Sequence, residues 1–299
     1  MNIYLSPKIK SYWIDSNNYF SMQSIEKFIN YFFNNININI NNDINNGCDG
    51  IIYDIQDDYD IPNKKLNIML CVENCSHWNH YNHYNKYGNY GNDKIKLYLY
   101  NHINKIEINN KYISIPIIYL EINYLENFYN IIKPSIYTPF EYKKFCLIAT
   151  TLSNCNKNEI FNILSSIDKC DFINDFICIK NKSCYHDIKL LNLFNQYKFV
   201  FIAENSINDG YITEKIFNGY FSRVIPIYFG SKQINYYFNK TSFINMNEYN
   251  NDNNIELIKS INSKEKYDSY INSQIISSSY DNENYKEVIN NFISSNNSL

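Results

Sequence analysis

Short apolar runs and helical spacings alternate along this chain, and the two periods are distinct enough to be read as elements. In the first half, residues 2–5, 50–53, 66–72, 96–100 and 113–120 are apolar runs of strand length. Residues 21–33 carry Ile25, Phe28, Ile29 and Phe32 on one helical face. The asparagine-rich stretch 34–46 reads as a loop, or as a half-buried strand where Ile36, Ile38 and Ile40 alternate with asparagine. Residues 77–92, rich in Asn, Tyr, His and Gly, read as a long surface loop.

Pro134 and Pro139 bracket a linker, after which the alternation restarts. Residues 145–150, 199–203 and 224–229 read as strands. Residues 158–167 and 213–221 read as helices, the first with Ile160, Phe161, Leu164 and Ile167 on its inner face. The tail, residues 285–292, has a helical pattern. Strands alternating with helices predict parallel sheets built from βαβ units. The fold class is therefore α/β, with a Rossmann-like domain over residues 1–140, a second over 141–299, and a cleft between them. In such sheets ligands bind outside the carboxyl ends of the strands, so the residues just after each strand are the first candidates for chemistry.

Composition narrows the function. Aromatic residues make up 17% of the 299, enough to bury two cores, and the net charge of -3 comes without a block of like charge. A basic footprint for nucleic acid is absent. Arg223 is the only arginine amid abundant Lys, Asn, Ile and Tyr, the signature of an AT-rich genome. Any other cation that meets a phosphate must then be lysine. The eight cysteines have no regular spacing and read as reduced thiols. No apolar run reaches the length of a membrane span, and the start lacks a secretory signal, so a soluble, cytoplasmic chain is expected.

The densest set of polar residues follows the strand at 199–203. It runs Glu204-Asn205-Ser206, then a loop through Asp209-Gly210, then Tyr211-Ile212-Thr213-Glu214-Lys215 opening a helix. Thr213 can cap that helix, whose amino end favours an anion, and Lys215 adds a point charge. Glu214 is placed to bind sugar hydroxyls. The same residues also fit an ordinary strand-loop-helix with a capping threonine and a solvated Glu-Lys pair.

Taken with Ile225-Pro226-Ile227-Tyr228-Phe229-Gly230 and Ser242-Phe243-Ile244-Asn245, this segment resembles the donor motif of the GDP-fucose-dependent α1,3-fucosyltransferases, glycosyltransferase family 10. That family carries Glu-Asn-Ser, Tyr-x-Thr-Glu-Lys and Pro-Ile-Tyr-Trp-Gly at this spacing, and Phe229 stands where tryptophan is common. The resemblance implies a GT-B architecture, with GDP-fucose as co-substrate and no resident cofactor. It implies donor contacts from Glu204, Asn205, Tyr211, Thr213, Glu214 and Lys215, with Asn205 and Tyr211 at the nucleoside and Lys215 at the diphosphate. A family arginine on the phosphate corresponds to Lys157 here, which keeps the charge and loses the bidentate fork.

The first half resembles the family at one place, where the strand 66–72 runs into Glu73-Asn74. The family's glutamate there is the proposed base, so Glu73 is the candidate for taking a proton from an acceptor hydroxyl, a surface acid being the plainer reading. The catalytic set implied is then Glu73, Glu214 and Lys215, acting by inversion on a glycan acceptor. His77, Trp78 and Tyr81 are candidates for acceptor contact, since aromatic faces stack on sugars. The histidines at 77, 80 and 83 lack the tighter Cys/His spacing of a zinc site, and the acids at 54, 57, 58 and 60 read as a charged solvated turn, with an Asp-x-Asp metal site as the alternative; no metal ligand is assigned, and dependence on a divalent metal stays open. Two alternatives remain at this stage: a transferase of the same build using another GDP-sugar, and a carbohydrate-binding relic without catalysis.

Overall fold

The computed structural model describes residues 2–5, 39–41, 50–54, 66–71, 97–100, 107–108, 113–116, 118–150, 152, 155–173, 188–247 and 252–280, with Glu287 and Asn291 in the tail. They fall into two compact units, Met1–Leu120 with Asp281–Leu299, and Glu121–Tyr280. The helix expected at 21–33 lies outside the described residues. So does the tail helix, apart from Glu287 and Asn291, which are helical.

The first unit holds a seven-stranded sheet in the order β2-β1-β3-β4-β5-β7-β6. Its strands are β1 (Asn2–Leu5), β2 (Asn39–Asn41), β3 (Gly50–Asp54), β4 (Leu66–Cys71), β5 (Leu97–Tyr100), β6 (Glu107–Ile108) and β7 (Ile113–Pro116). All pairings are parallel except β6 with β7. The period-2 asparagine stretch does form a strand, three residues long, on β1. Ile51, Ile52 and Ile68 are buried, as parallel strands covered on both faces require. The expected strand 113–120 stops at Pro116. Helix α1 (Ile118–Phe128) follows, because Ile118, Glu121, Ile122 and Leu125 bury one face at helical spacing.

The second unit holds a five-stranded, wholly parallel sheet in the order β12-β11-β10-β8-β9. Its elements are β8 (Lys144–Ile148), α2 (Cys155–Ile167), β9 (Cys170–Phe172), α3 (Ile188–Asn195), β10 (Tyr197–Ala203), α4 (Glu214–Phe221), β11 (Ile225–Phe229), α5 (Ile234–Tyr237), β12 (Ile244–Asn245), α6 (Asp252–Ile261) and α7 (Lys264–Ile271). In chain order both sheets run second-first-third-fourth-fifth, the doubly wound arrangement. Its strand order reverses at the first strand, so in this unit the crevice at the carboxyl ends of β8 and β10 is the topological switch point. Cys146 and Cys170, free thiols, are register partners on β8 and β9.

The core lies between this sheet and its helices, with Phe145, Phe199, Phe201, Ile227 and Phe229 meeting Ile160, Leu164 and Ile258. Helix α4 comes close to the sheet because Gly219 has no side chain. A Cβ there would sit 2.9 Å from Pro226 Cγ and 3.2 Å from Ile202 Cδ1. The helix ends at Arg223, whose φ of 56° is left-handed, with its N–H bonded to Tyr220 O at 3.0 Å. The Arg223 guanidinium lies 3.4 Å over the Tyr129 ring, donates to the Tyr129 carbonyl, and borders a cavity of about 610 Å³. Burial pushes its pKa down to about 10.

The unit boundary falls before the prolines because the segment that follows α1 is tied to the second sheet. Asn195, fully buried, accepts from Thr138 N at 2.7 Å and donates to Ser222 O at 2.8 Å, while Lys143 Nζ donates to its carbonyl. Asn192, at the surface, makes a similar pair of bonds to Ser135. The two asparagines separate burial from bonding. Asn195→Ala is expected to cost about 2–3 kcal/mol by stranding buried backbone groups, and Asn192→Ala under about 1 kcal/mol. Urea denaturation of the two variants checks this, and equal losses would contradict it.

Candidate active site

The loop leaving β10 is organised by one carboxylate. Glu204 follows the strand, its N–H bonded to Phe229 O at 2.9 Å, and is 1% exposed. Oε1 accepts from Thr213 N at 2.9 Å, and Oε2 accepts from Thr213 Oγ1 at 2.7 Å and Lys215 Nζ at 3.3 Å. Tyr228 on β11 reaches Oε1 at 3.5 Å, and its phenol accepts from Ser231 N at 3.2 Å. Burial and the adjacent carboxylate push the Tyr228 pKa well above the ordinary phenol value, so it stays a neutral donor. Burying a carboxylate is costly unless its lone pairs are met, and here charge-assisted donors from two elements meet them.

This arrangement corrects one expectation. Thr213 occupies the N-cap position of α4, but its side chain makes no capping bond. Its hydroxyl goes to Glu204 and accepts in turn from Lys215 Nζ at 2.8 Å. The hydroxyl proton is committed to the carboxylate and the oxygen accepts from the Lys215 ammonium in place of a backbone N–H, so the cap is given up. Gly210, at φ 77°, makes the turn that brings Tyr211 to Thr213 back to Glu204.

Two lysines share the site. Lys215, 24% exposed at its side chain, is 3.5 Å from Glu214 Oε1. Lys157 lies in the first turn of α2, which starts three residues earlier than the apolar spacing suggested, and is 2% exposed. Burial first and the Lys215 charge second lower its pKa, while Glu204 opposes them. Lys157 follows β8 and Glu204 follows β10, so the two sit on either side of the switch point. Cations held close together beside a helix amino end gain from a diphosphate between them.

The remaining expected residues divide. Glu204, Thr213, Glu214, Lys215 and Lys157 come together. Asn205 is exposed beside them, whereas Tyr211 is buried. Glu73, His77, Trp78 and Tyr81 lie outside the described residues. Tyr228 and Gly230 carry the site and were legible only as parts of a motif. Glu121 was not singled out at all. It is a buried acid on α1 that the Glu214 charge reaches. Among the described residues no helix is long and apolar enough to cross a membrane.

Comparison with known proteins bears on this site directly. Residues 141–288 match the family model described as glycosyltransferase family 10 (fucosyltransferase) C-term. An alpha-(1,3)-fucosyltransferase of Helicobacter pylori is 34% identical over 108 residues, 36% of this chain and 22% of that protein. A putative fucosyltransferase of Acanthamoeba polyphaga mimivirus is 31% identical over 143 residues, 43% of this chain and 23% of its own length. The human 4-galactosyl-N-acetylglucosaminide 3-alpha-L-fucosyltransferase 9 is 33% identical over 91 residues, 29% of this chain and 25% of the relative. The chain thus spans about a quarter of the length of the curated relatives it matches. A crystal structure of alpha1,3-fucosyltransferase superposes with a TM-score of 0.61 at 20% identity, covering 99% of this chain and 88% of that one. A crystal structure of alpha1,3-fucosyltransferase with GDP-fucose gives 0.57 at 18% identity, covering 99% and 89%. Both place the fold in the GT-B class.

The Glu204 arrangement makes Gly230 the residue with least freedom. A Cβ there would lie 2.5 Å from Tyr228 Oη and 2.6 Å from Glu204 Cγ. Gly230→Ala is expected to cost about 1–3 kcal/mol, as overpacking does. It should also weaken nucleotide binding more than any stability loss explains, because Glu204 must move. Denaturation and GDP titration on the same sample check both, and an unchanged GDP affinity would contradict the role given to Glu204.

Proposed function

Since residues 141–288 belong to the glycosyltransferase family 10 C-terminal domains, we propose that this chain transfers L-fucose from GDP-β-L-fucose to a hydroxyl of a glycan acceptor, with inversion to an α-fucoside, α1,3-linked. The observation that carries the reading is the pairing of Lys157 and Lys215 at the switch point, with Glu204 fixing Lys215 from behind. That pairing suits a diphosphate leaving group better than any other charge class in the unit.

The reaction balances in one displacement. The acceptor oxygen forms a bond to the anomeric carbon as the bond from that carbon to the β-phosphate oxygen breaks. The acceptor proton goes to Glu73. Negative charge grows on the departing GDP, and the two ammonium groups and the amino end of α4 are there to meet it. Oxocarbenium character develops on the sugar, as in other glycosyl transfers. Glu214, at the mouth of the same site, binds hydroxyls of the ribose or the fucose. The first unit receives the acceptor, with His77, Trp78 and Tyr81 as its contacts. Nothing in this scheme needs a metal.

The test is acceptor-dependent release of GDP from GDP-fucose, run beside GDP-mannose and UDP-sugars with a glycan panel. Turnover with fucose alone supports the reading. Turnover with another GDP-sugar alone overturns the donor assignment and keeps the class. Lys215→Ala is expected to weaken GDP binding about 10- to 100-fold, the range of one charge-assisted hydrogen bond.

Proton uptake gives an independent check. Before the donor binds, Lys157 has a lowered pKa, and a bound diphosphate raises it again. Binding of GDP-fucose at alkaline pH therefore takes up a proton, and affinity is lost as pH rises through the lowered pKa. Calorimetry in buffers of different ionisation heat should show uptake in the wild type and none in Lys157→Met. Release of protons by the wild type would contradict the placement of Lys157.

A further inference from the structure

Two thiols of the second unit have no part in the chemistry above. Cys146 is the third residue of β8 and Cys170 the first of β9, and the two are register partners in a parallel pair. Register partners on neighbouring strands point to the same face of a sheet. The core agrees, since Cys146 belongs to it and Cys170 packs against it. Neighbouring strands lie about 4.8 Å apart, and the Cα atoms of a disulfide lie roughly 4.4–6.8 Å apart. The pair is therefore already spaced for a bond, and both thiols are free.

The two differ in access. Strand β9 is the outermost strand at one end of its sheet, and Cys170 is half-buried there. Cys146, on a strand flanked by β10 and β9, is fully buried. They differ in acidity as well. A hydrogen bond with Cys146 is the main cause that lowers the Cys170 pKa, and the Ser165 hydroxyl adds to it, while burial, Asp168 and Asp171 oppose. Burial holds the Cys146 pKa well above the ordinary thiol value. The thiolate is the nucleophile of thiol chemistry, so Cys170 is the one that an oxidant meets first, with a neutral thiol beside it.

We propose that Cys170 and Cys146 form an oxidation site, in which Cys170 reacts with hydrogen peroxide and Cys146 resolves the product as a disulfide. In the first step the Cys170 sulfur attacks one peroxide oxygen and the O–O bond breaks. A sulfenic acid forms on Cys170, and the departing hydroxide becomes water with the proton that Cys170 gave up. In the second step the Cys146 sulfur attacks the Cys170 sulfur. The S–S bond forms, the S–O bond breaks, and the hydroxyl leaves with the Cys146 proton as a second water. Two thiols lose two electrons, and one peroxide is reduced to two waters.

The placement makes the second step protective. A sulfenic acid left standing goes on to sulfinic acid, which thiols do not restore, whereas they do restore a disulfide. The bond also joins the two ends of the crossover from β8 to β9, with α2 and Lys157 between them. Nothing in it depends on which sugar nucleotide the chain uses.

The experiment treats the folded chain with a few equivalents of hydrogen peroxide, blocks the remaining thiols and maps its peptides without reduction. Trypsin cuts after lysine, so Cys146 falls in peptide 145–157 and Cys170 in peptide 170–180. Each peptide holds a second cysteine, Cys155 and Cys178, so fragmentation of the linked pair assigns the bond. The wild type is expected to lose both thiols to a link between Cys146 and Cys170, and to regain both with dithiothreitol. In Cys146→Ala the Cys170 sulfenic acid should be captured by dimedone, and more peroxide should carry it to sulfinic acid. In Cys170→Ala, Cys146 should keep its thiol. The wild-type map decides even where a variant does not fold. A wild-type Cys170 that stays a thiol, stops at sulfinic acid, or links to Cys155 or Cys178 would overturn the proposal. So would a Cys170→Ala variant whose Cys146 oxidises as fast as in the wild type.

Discussion

An ionised carboxylate taken out of water has to be met on every side, and the second unit is arranged around that demand at Glu204. Thr213 supplies both a backbone and a side-chain donor, and Lys215 supplies charge. Those donors sit nine and eleven residues further on, so satisfying Glu204 fixes the length and path of the loop and the first turn of α4 together. The neighbouring strand is bound in as well, since Tyr228 reaches over and only a glycine fits at 230. Removing the charge would release the loop, the helix start and the lysine at once.

The same demand explains how Lys157 can be almost wholly buried in a helix whose apolar face begins three residues later. Its ammonium has the Glu204 charge opposing the penalties of burial and of Lys215. The site in its free state is thus a compromise between two cations and two carboxylates, Glu204 and Glu214. A diphosphate changes that balance more than it changes any contact.

Much of the second sheet was legible because parallel strands covered on both faces become unbroken apolar runs, as in 199–203 and 224–229. Helix α4 was legible from Gly210, Thr213 and the apolar spacing after them, although the role of Thr213 was misread because a partner nine residues away cannot be seen in a local pattern. Residues 252–271 fold as two helices from asparagine-, serine- and lysine-rich sequence, where composition argues for loop and only packing on the sheet decides otherwise. Helix α1 was hidden by Ile117-Ile118-Tyr119-Leu120, an apolar run that continues the preceding strand in sequence but not in structure. That misreading also concealed Glu121, since an acid past the end of a strand looks like surface. Of the site itself, the residues around Glu204 were visible through a resemblance, whereas their division into one buried organiser and several outward groups depends on three-dimensional contacts.

Arg223 shows what a skewed nucleotide composition cannot erase. Where only charge is needed, lysine serves as well, and every other basic side chain of this sequence apart from its histidines is lysine. At 223 the guanidinium must lie flat on the Tyr129 ring while donating to that residue's own carbonyl. An ammonium has no plane to stack and no fixed fork to aim. The chain's one arginine therefore stands where a planar cation, and not charge alone, is what the contact uses.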